Sequence, residues 1–217
     1  MVTYEQAVVD ESLRQPYLDQ FFVRHPSLFV DAVQYDPDGL SLARWVDEQF
    51  HAGKVSEHTL KDLRHCIFGE VVACVPKVDE WFGLSLYKLP IFVQPSLFEQ
   101  YTEDGVRSVL AHHEYVHAED FYKGVMLGEH RINWASLRTV DSRILGLFFE
   151  VRAYVPQLDD AARNPGIRRC GERSSEESYR RICVNVCAHR NLLLDIKPRN
   201  VLEEAIVEEM RLVQVKV

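Results

Sequence analysis

The chain has 217 residues, of which 47% are hydrophobic and 27% are charged. These proportions are typical of a globular protein with one substantial core, so we expect a single domain with appendages. The formal net charge of −8 disfavours a general nucleic-acid binder, and no apolar run reaches the roughly 20 residues that span a bilayer.

The N-terminal residues, Met1 to Gln6, lack the basic and then apolar pattern of a secretory signal. The five cysteines form no C-x-x-C pair, which favours reduced thiols in a cytoplasm-like compartment. Cys183 and Cys187 lie one helical turn apart near His189, and core packing explains them better than a second metal site. The sequence therefore predicts a cytoplasmic protein without a membrane span, with export by a signal-less route as the alternative.

The first part of the chain, residues 1–83, is predicted to be helical. Apolar spacing predicts one helix over 42–50, with Gly53 as its end. A second helix is predicted to begin at a Ser56 cap and to end before Pro76.

Residues 84–94 carry the strongest strand pattern, in two runs separated by Pro90. Proline in a strand is typical of a sheet edge. An open edge beside an active site would allow an extended peptide substrate to pair with it. The alternative is a short buried hairpin without a substrate role.

A further helix is predicted from residue 103 onward. Thr102 is its expected cap, and Glu103 and Asp104 place negative charge in its first turn. Gly124 is its expected end. Its inward face is an apolar stripe at helical spacing that includes two histidines: Val106, Leu110, His113, His117 and Phe121.

The stripe contains His113-Glu114-Tyr115-Val116-His117, an H-E-x-x-H pattern. Histidines four residues apart lie one helical turn apart, about 6 Å of rise, and project from one face toward a single ion. Glu114 is rotated away from that direction, so it suits a general base that reaches a water on the metal better than a ligand. The alternative is a half-buried helix whose histidines only pack against their neighbours.

Catalytic zinc takes three protein ligands and leaves one position open, so a third ligand is required. The downstream candidates are Asp120, Glu129, His130, Asp141 and Glu150. Glu150 is the strongest, because it stands among apolar residues of a helix predicted over 142–158 and an unpaired buried carboxylate is costly. Its alternative is a salt bridge to Arg143 or Arg152. Asp120 is better placed to accept a hydrogen bond from the second ring nitrogen of a ligand.

The segment Glu150-Val151-Arg152-Ala153-Tyr154 and the H-E-x-x-H motif together resemble the gluzincin family of zinc metallopeptidases. In that family a Glu-x-x-Ala-Tyr type segment on a later helix completes the site. Ile91-Phe92-Val93-Gln94-Pro95 resembles the strand that precedes the active-site helix, so the resemblance covers about residues 88–158. It implies a zinc-dependent hydrolase, most often a peptidase, and leaves the substrate open. Gly146, one turn before Glu150, has no side chain, so this helix is predicted to cross the histidine helix closely there.

Residues 159–175 are rich in Asp, Asn, Gly, Pro and Arg, a composition typical of a linker. They contain a basic cluster in an acidic protein: Arg163, Arg168, Arg169 and Arg173. This cluster either attracts an acidic ligand or belongs to a solvated mobile loop. Two helices are predicted after it, capped by Ser174 and Asn200.

The predicted fold is α+β and helix-rich, with a small antiparallel sheet whose edge strand lies beside the active-site helix, as in zincins. The parts are a helical N-terminal part (1–83), a zincin-like catalytic core (84–158), a linker (159–175) and a helical C-terminal part (176–217), all in one compact domain.

The predicted function is zinc-dependent hydrolysis of a peptide or protein, with Glu114 as general base. Tyr154, or failing that His130, is predicted to donate a hydrogen bond to the developing oxyanion. The Zn²⁺ ligands are predicted to be His113, His117 and Glu150. The same donor set suits a non-haem Fe(II) oxygenase, and an inactive scaffold with a structural metal is a third alternative. A di-iron centre would need a second Glu-x-x-His, which the sequence lacks.

Overall fold

The computed structural model describes residues 1–24, 30–53, 73–75, 89–133, 136 and 139–214. The helices in these ranges are α1 (Tyr4–Val9), α2 (Arg14–Arg24), α3 (Leu40–His51), α4 (Pro95–Gln100), α5 (Glu103–Ser108), α6 (Tyr115–Lys123), α7 (Ser142–Arg163), α8 (Ser175–Leu194) and α9 (Val201–Leu212). A 3₁₀ turn (Glu11–Leu13) precedes α2, and a π-helical turn (Val109–Glu114) joins α5 to α6. The strands are β1 (Val30–Tyr35), β2 (Ala73–Cys74), β3 (Leu89–Val93), β4 (Val125–Leu127) and β5 (His130–Ile132). A helix-rich chain with two small sheets is compatible with the α+β class.

The helices begin at the capping residues that the sequence indicates. Thr102 and Ser174 each accept a hydrogen bond from the backbone N–H three residues later, at 3.2 and 3.3 Å. Asn200 accepts two such bonds at the start of α9. These caps satisfy N–H groups that the first helical turn leaves without a partner.

The predicted N-terminal helix over 42–50 is observed as α3. The fully buried carboxylate of Asp36 caps it, accepting from the N–H groups of Ser41 and Leu42 at 2.8 and 2.9 Å. The predicted helix that begins at Ser56 and the strand run over 84–88 lie outside the described residues.

The main sheet is mixed rather than antiparallel, which corrects the predicted topology. Its described strands have the order β1-β3-β2, with β1 parallel to β3 and β2 antiparallel to it. The strand that contains Pro90 is therefore central, and its assignment to an edge is wrong. Pro90 is accommodated because the pairing with β1 shifts register between Val30 and Val33, while the described pairing with β2 involves Phe92 and Val93.

The outer edge of β1 is also occupied. The side-chain amide of Gln15 on α2 accepts a hydrogen bond from the N–H of Tyr35 at 2.6 Å and donates one to the carbonyl of Val33 at 3.1 Å. Gln15 thus covers backbone groups that an added strand would use. An extended peptide would have to displace it in order to pair there.

Helix α7 organises the site. It packs against α8, α6 and the π-helical turn, and its buried face includes Phe148 and Phe149. It ends at Arg163, beyond the predicted end at 158, so the connection to α8 is the loop 164–174. A Cβ added at Gly146 would meet nothing within 4 Å, so the predicted close crossing at this residue is wrong.

One buried apolar cluster joins the described elements, from Ala7 in α1 to Met210 in α9. It brings the mixed sheet, the helix of the H-E-x-x-H motif and α7 around a shared core. Within the described ranges, no helix combines the length and the apolar character that crossing a bilayer requires.

Candidate metal centre

The three predicted ligands converge from three elements. The π-helical turn carries His113, α6 carries His117 and α7 carries Glu150. Nε2 of His113 lies 3.7 Å from Oε2 of Glu150, and Nε2 of His117 lies 3.5 Å from Oε1 of the same carboxylate. One ligand atom from each residue lies within 4.8 Å of the other two.

These separations fit ligands around a common ion better than hydrogen bonds. An N–H···O bond has its heavy atoms about 2.7–3.2 Å apart, so both contacts with Glu150 are too long. Donors bound at about 2.0–2.1 Å around a tetrahedral zinc lie roughly 3.3 Å from one another, close to the 3.5 and 3.7 Å observed. The two-imidazole, one-carboxylate set therefore fits a divalent metal.

The sequence predicts that both histidines lie on one uninterrupted α-helix, but in the structure His113 lies on a π-helical turn and His117 on the α-helix that follows it. The N–H of Tyr115 donates to the carbonyl of Leu110, five residues back, which widens the turn into a π-helix ending at Glu114. Such turns occur frequently at functional sites. The wider turn changes the rotation of His113 and Glu114 relative to His117, yet both imidazoles still face Glu150.

Burial keeps His113 neutral, as a metal ligand must be. Both imidazoles are buried, with exposed fractions of 8% for His113 and 7% for His117. Burial, and next the neighbouring His117, lower the pKa of His113 to about 3, while Glu150 acts in the opposite direction. In the neutral tautomer that carries its proton on Nδ1, the Nε2 of an imidazole offers its lone pair to a cation.

Asp120 does not support a ligand, which corrects its predicted role. Its carboxylate accepts two hydrogen bonds from the guanidinium of Arg152, at 2.7 and 3.0 Å. Arg152 is thereby excluded as the salt-bridge partner of Glu150. Among the described residues, the ion-pair contacts of Glu150 are the two imidazoles. The Asp120–Arg152 pair joins α6 to α7 close to the ligands.

Of the two predicted catalytic side chains, Tyr154 contacts a residue of the triad and Glu114 is buried. Glu114 is buried, with 4% of its surface exposed. The ring of Tyr154 is edge-on to His113, with 4.4 Å between the ring centroids. Burial, followed by Glu150, raises the pKa of Tyr154, and Glu114 adds to this effect. The phenol therefore remains protonated and able to donate a hydrogen bond.

The other downstream candidates lie apart from the triad. Asp141 caps α7 by accepting from the N–H of Arg143 at 2.9 Å. Glu129 and His130 belong to the β4–β5 hairpin. None of the three is part of the metal-ligand group found among the described residues.

Two residues beside the triad do not figure in the sequence-based site. His189 on α8 lies against Tyr154, with 5.5 Å between ring centroids, and its Nδ1 is 2.7 Å from the carbonyl oxygen of Asn185. Gln157 on α7 is buried, and it acts to raise the pKa of His113 against the larger effect of burial. Gln157 follows Glu150 and Tyr154 at helical spacing, and this spacing is a signal that could have identified Gln157.

Comparison with models of known protein families, with curated proteins and with solved structures finds no match.

Proposed function

We propose that this protein is a zinc-dependent hydrolase of peptide bonds, with a gluzincin-like site. One observation carries the proposal. The Nε2 atoms of two histidines on one continuous helical segment face the two oxygens of a carboxylate on another helix. The separations suit ligands of one ion. The low pKa of His113 also favours metal binding at neutral pH.

His113, His117 and Glu150 would hold the zinc. When bound, the metal would supply a Lewis acid that brings the pKa of water close to neutrality and polarises a carbonyl. Among the described residues the ligand group contains three members, which favours an open position over a closed structural site.

Glu114 would act as the general base. Its carboxylate would take the proton of the attacking water and pass it to the leaving nitrogen, so that the peptide bond breaks to an acid and an amine.

Tyr154 would donate a hydrogen bond to the oxyanion that develops on the substrate carbonyl. The raised pKa of its phenol favours this role, since a donor must keep its proton. Removing a comparable donor in other enzymes costs about 3 kcal/mol of transition-state stabilisation.

The test is peptide hydrolysis by Glu114→Gln, with metal content measured on the same sample. We expect a zinc-loaded variant with hydrolysis reduced by about a hundredfold or more. Glu119→Gln is the matched control, because it removes the same charge from a glutamate on α6 that pairs with Lys123 on the surface. Normal turnover by zinc-loaded Glu114→Gln would exclude the assigned base.

The donor set itself supports one competing function. Two histidines and one carboxylate also form the facial triad of non-haem Fe(II) oxygenases. Elemental analysis of the metal retained through purification under anaerobic conditions separates the two. Stoichiometric iron, with oxygen consumption and without peptide hydrolysis, would favour the oxygenase.

A further inference from the structure

The candidate metal centre is built across the interface between two helical segments. The segment formed by the π-helical turn and α6 supplies both imidazoles, and α7 supplies the carboxylate. The two segments meet through three successive pairs of side chains: His113 with Tyr154, His117 with Glu150, and Phe121 with Phe149. This order shows that α6 and α7 run antiparallel. The separation of the three ligands therefore depends on how α6 is placed against α7.

The Asp120–Arg152 pair fixes this placement close to the ligands. Asp120 follows His117 by three residues, and Arg152 follows Glu150 by two. The guanidinium donates Nε and Nη2 to the two carboxylate oxygens at 2.7 and 3.0 Å. Its central carbon lies 5.8 Å from the ring centroid of Phe148 on the same helix. A planar guanidinium that binds a carboxylate through two bonds fixes the relative rotation of the partners as well as their separation.

The apolar contacts beside the pair do not restrict the two helices in the same way. The ring of His117 stacks on Phe121 at 5.6 Å between centroids, and Phe121 meets Phe149 edge-on at 5.1 Å. Apolar side chains repack around a changed neighbour, and a core loses its unique arrangement before it loses stability. A displacement of α6 along α7 would carry His117 with it and change its distance from the carboxylate.

Stability alone gives little reason for an ion pair at this place. The side chain of Asp120 is only 6% exposed, and the cost of burying a charge offsets most of what its partner returns. Apolar residues of similar volume often give equal stability. A metal site, in contrast, requires its ligands to be held within about 0.5 Å of the productive geometry.

We propose that Asp120 and Arg152 are positioning residues of the metal centre, which hold Glu150 at the distance from His113 and His117 that a bound metal requires. This inference rests on the metal centre of the proposed function. Neither residue touches the ion. Both act through the helices that carry the ligands, so the pair contributes more to metal affinity than to the stability of the fold.

The experiment measures zinc affinity, by competition with a chromogenic chelator, for the wild type, the double variant Asp120→Leu/Arg152→Met and the single variant Arg152→Lys. The matched control is Glu172→Leu/Arg181→Met. It removes another arginine–carboxylate contact of 2.7 Å, with side-chain exposures of 21% and 14%, which joins the loop 164–174 to α8. Urea denaturation of the metal-free proteins verifies that each variant folds. The visible absorption of bound Co²⁺ reports the ligand geometry in each.

We expect the double variant to unfold at nearly the same urea concentration as the wild type and to bind zinc at least about tenfold more weakly, as when outer partners of a metal site are removed. Its Co²⁺ absorption should differ from that of the wild type. Arg152→Lys keeps the charge and loses the planar fork, so its zinc affinity should lie between the two. The control double variant should bind zinc like the wild type.

Equal zinc affinity in Asp120→Leu/Arg152→Met and the wild type would overturn the positioning role. An equal loss in the Glu172→Leu/Arg181→Met control would also overturn it, since the effect would then belong to general packing. If the double variant does not fold, Arg152→Lys decides, and wild-type affinity in that variant refutes the proposal.

Peptide hydrolysis by the wild type is measured separately, which distinguishes this inference from the proposed function. Zinc binding that depends on the Asp120–Arg152 pair, without any peptide cleavage, would keep the positioning role and refute the hydrolase. Peptide cleavage with a zinc affinity that is indifferent to the pair would do the reverse. A wild type that binds no zinc would refute both.

Discussion

Removing either member of the Asp120–Arg152 pair should destabilise the protein, and Arg152→Met should cost more than Asp120→Asn. The two side chains make a bidentate contact at 2.7 and 3.0 Å, with exposed fractions of 6% for Asp120 and 32% for Arg152. Breaking a buried pair costs about 3–5 kcal/mol because the remaining charge loses its partner. Arg152→Met leaves the more buried member, Asp120, without its partner. We therefore expect a loss of unfolding free energy of about 3–4 kcal/mol for Arg152→Met and of about 2 kcal/mol for Asp120→Asn.

Replacing both residues by apolar ones should restore most of the stability. Burial raises the pKa of Asp120 in spite of the opposing effect of Arg152, so the pair itself contributes little net free energy. The double variant Asp120→Leu/Arg152→Met should therefore unfold within about 1 kcal/mol of the wild type. Urea denaturation of the wild type, Asp120→Leu, Arg152→Met and the double variant at pH 7 gives the coupling energy directly.

The pH dependence of the unfolding free energy of Arg152→Met tests this reasoning. Without Arg152 the pKa of Asp120 should rise further above its unfolded value. A carboxyl group with a raised folded pKa destabilises the fold while it is ionised, and the penalty disappears as pH falls through that folded pKa. The deficit of Arg152→Met should thus shrink between pH 7 and 5. A deficit that stays constant or grows, or single variants that unfold like the wild type, would refute the reasoning.

Three further predictions concern stability. In metal-free protein the free energy of unfolding should fall as the pH is lowered from 6.5 to 5, by up to about 1.4 kcal/mol per pH unit. The reason is that His113, whose pKa is lowered to about 3 in the folded protein, takes up a proton on unfolding. The same pH dependence of the unfolding free energy in His113→Asn would contradict this. Glu203→Gln should cost about 2 kcal/mol in urea denaturation, since the fully buried Glu203 accepts bonds from Asp141 and Arg199, and the exposed Glu204→Gln is its control. Gly105→Ala should lower the free energy of unfolding by about 1–3 kcal/mol, because the added methyl group would clash with a backbone carbonyl. Gly146→Ala is the control and should be neutral or stabilising, since the space around Gly146 is open.

The cluster of His113, His117 and Glu150 could be predicted because its signals are local. His113 and His117 have the spacing of one helical turn, and Glu150 is a carboxylate within an apolar helical stretch, where it requires a partner. Both features are visible in a short window of sequence. The sequence does not reveal the π-helical turn, whose widened hydrogen bond to Leu110 leaves the H-E-x-x-H spacing unchanged.

The sheet could not be predicted from local patterns, since its pairing is long-range. β1 (30–35) pairs with β3 (89–93) in parallel, and Gln15 completes the outer edge. A rule that assigns proline to sheet edges cannot anticipate the register shift that accommodates Pro90. The partner of Arg152 could not be predicted from local spacing either, because Arg152 pairs with Asp120 on α6, 32 residues earlier in the chain, and not with Glu150.

The most direct test of the central claim is zinc affinity, measured by competition with a chromogenic chelator, for the wild type and for Glu150→Gln. Glu129→Gln serves as the control, because Glu129 is an exposed glutamate of the β4–β5 hairpin. We predict one zinc per chain for the wild type, unchanged affinity for Glu129→Gln, and an affinity at least about a hundredfold weaker for Glu150→Gln, since even outer partners of a metal site contribute about 10–100-fold. Equal zinc affinity in Glu150→Gln and the wild type would contradict the assignment of the metal centre.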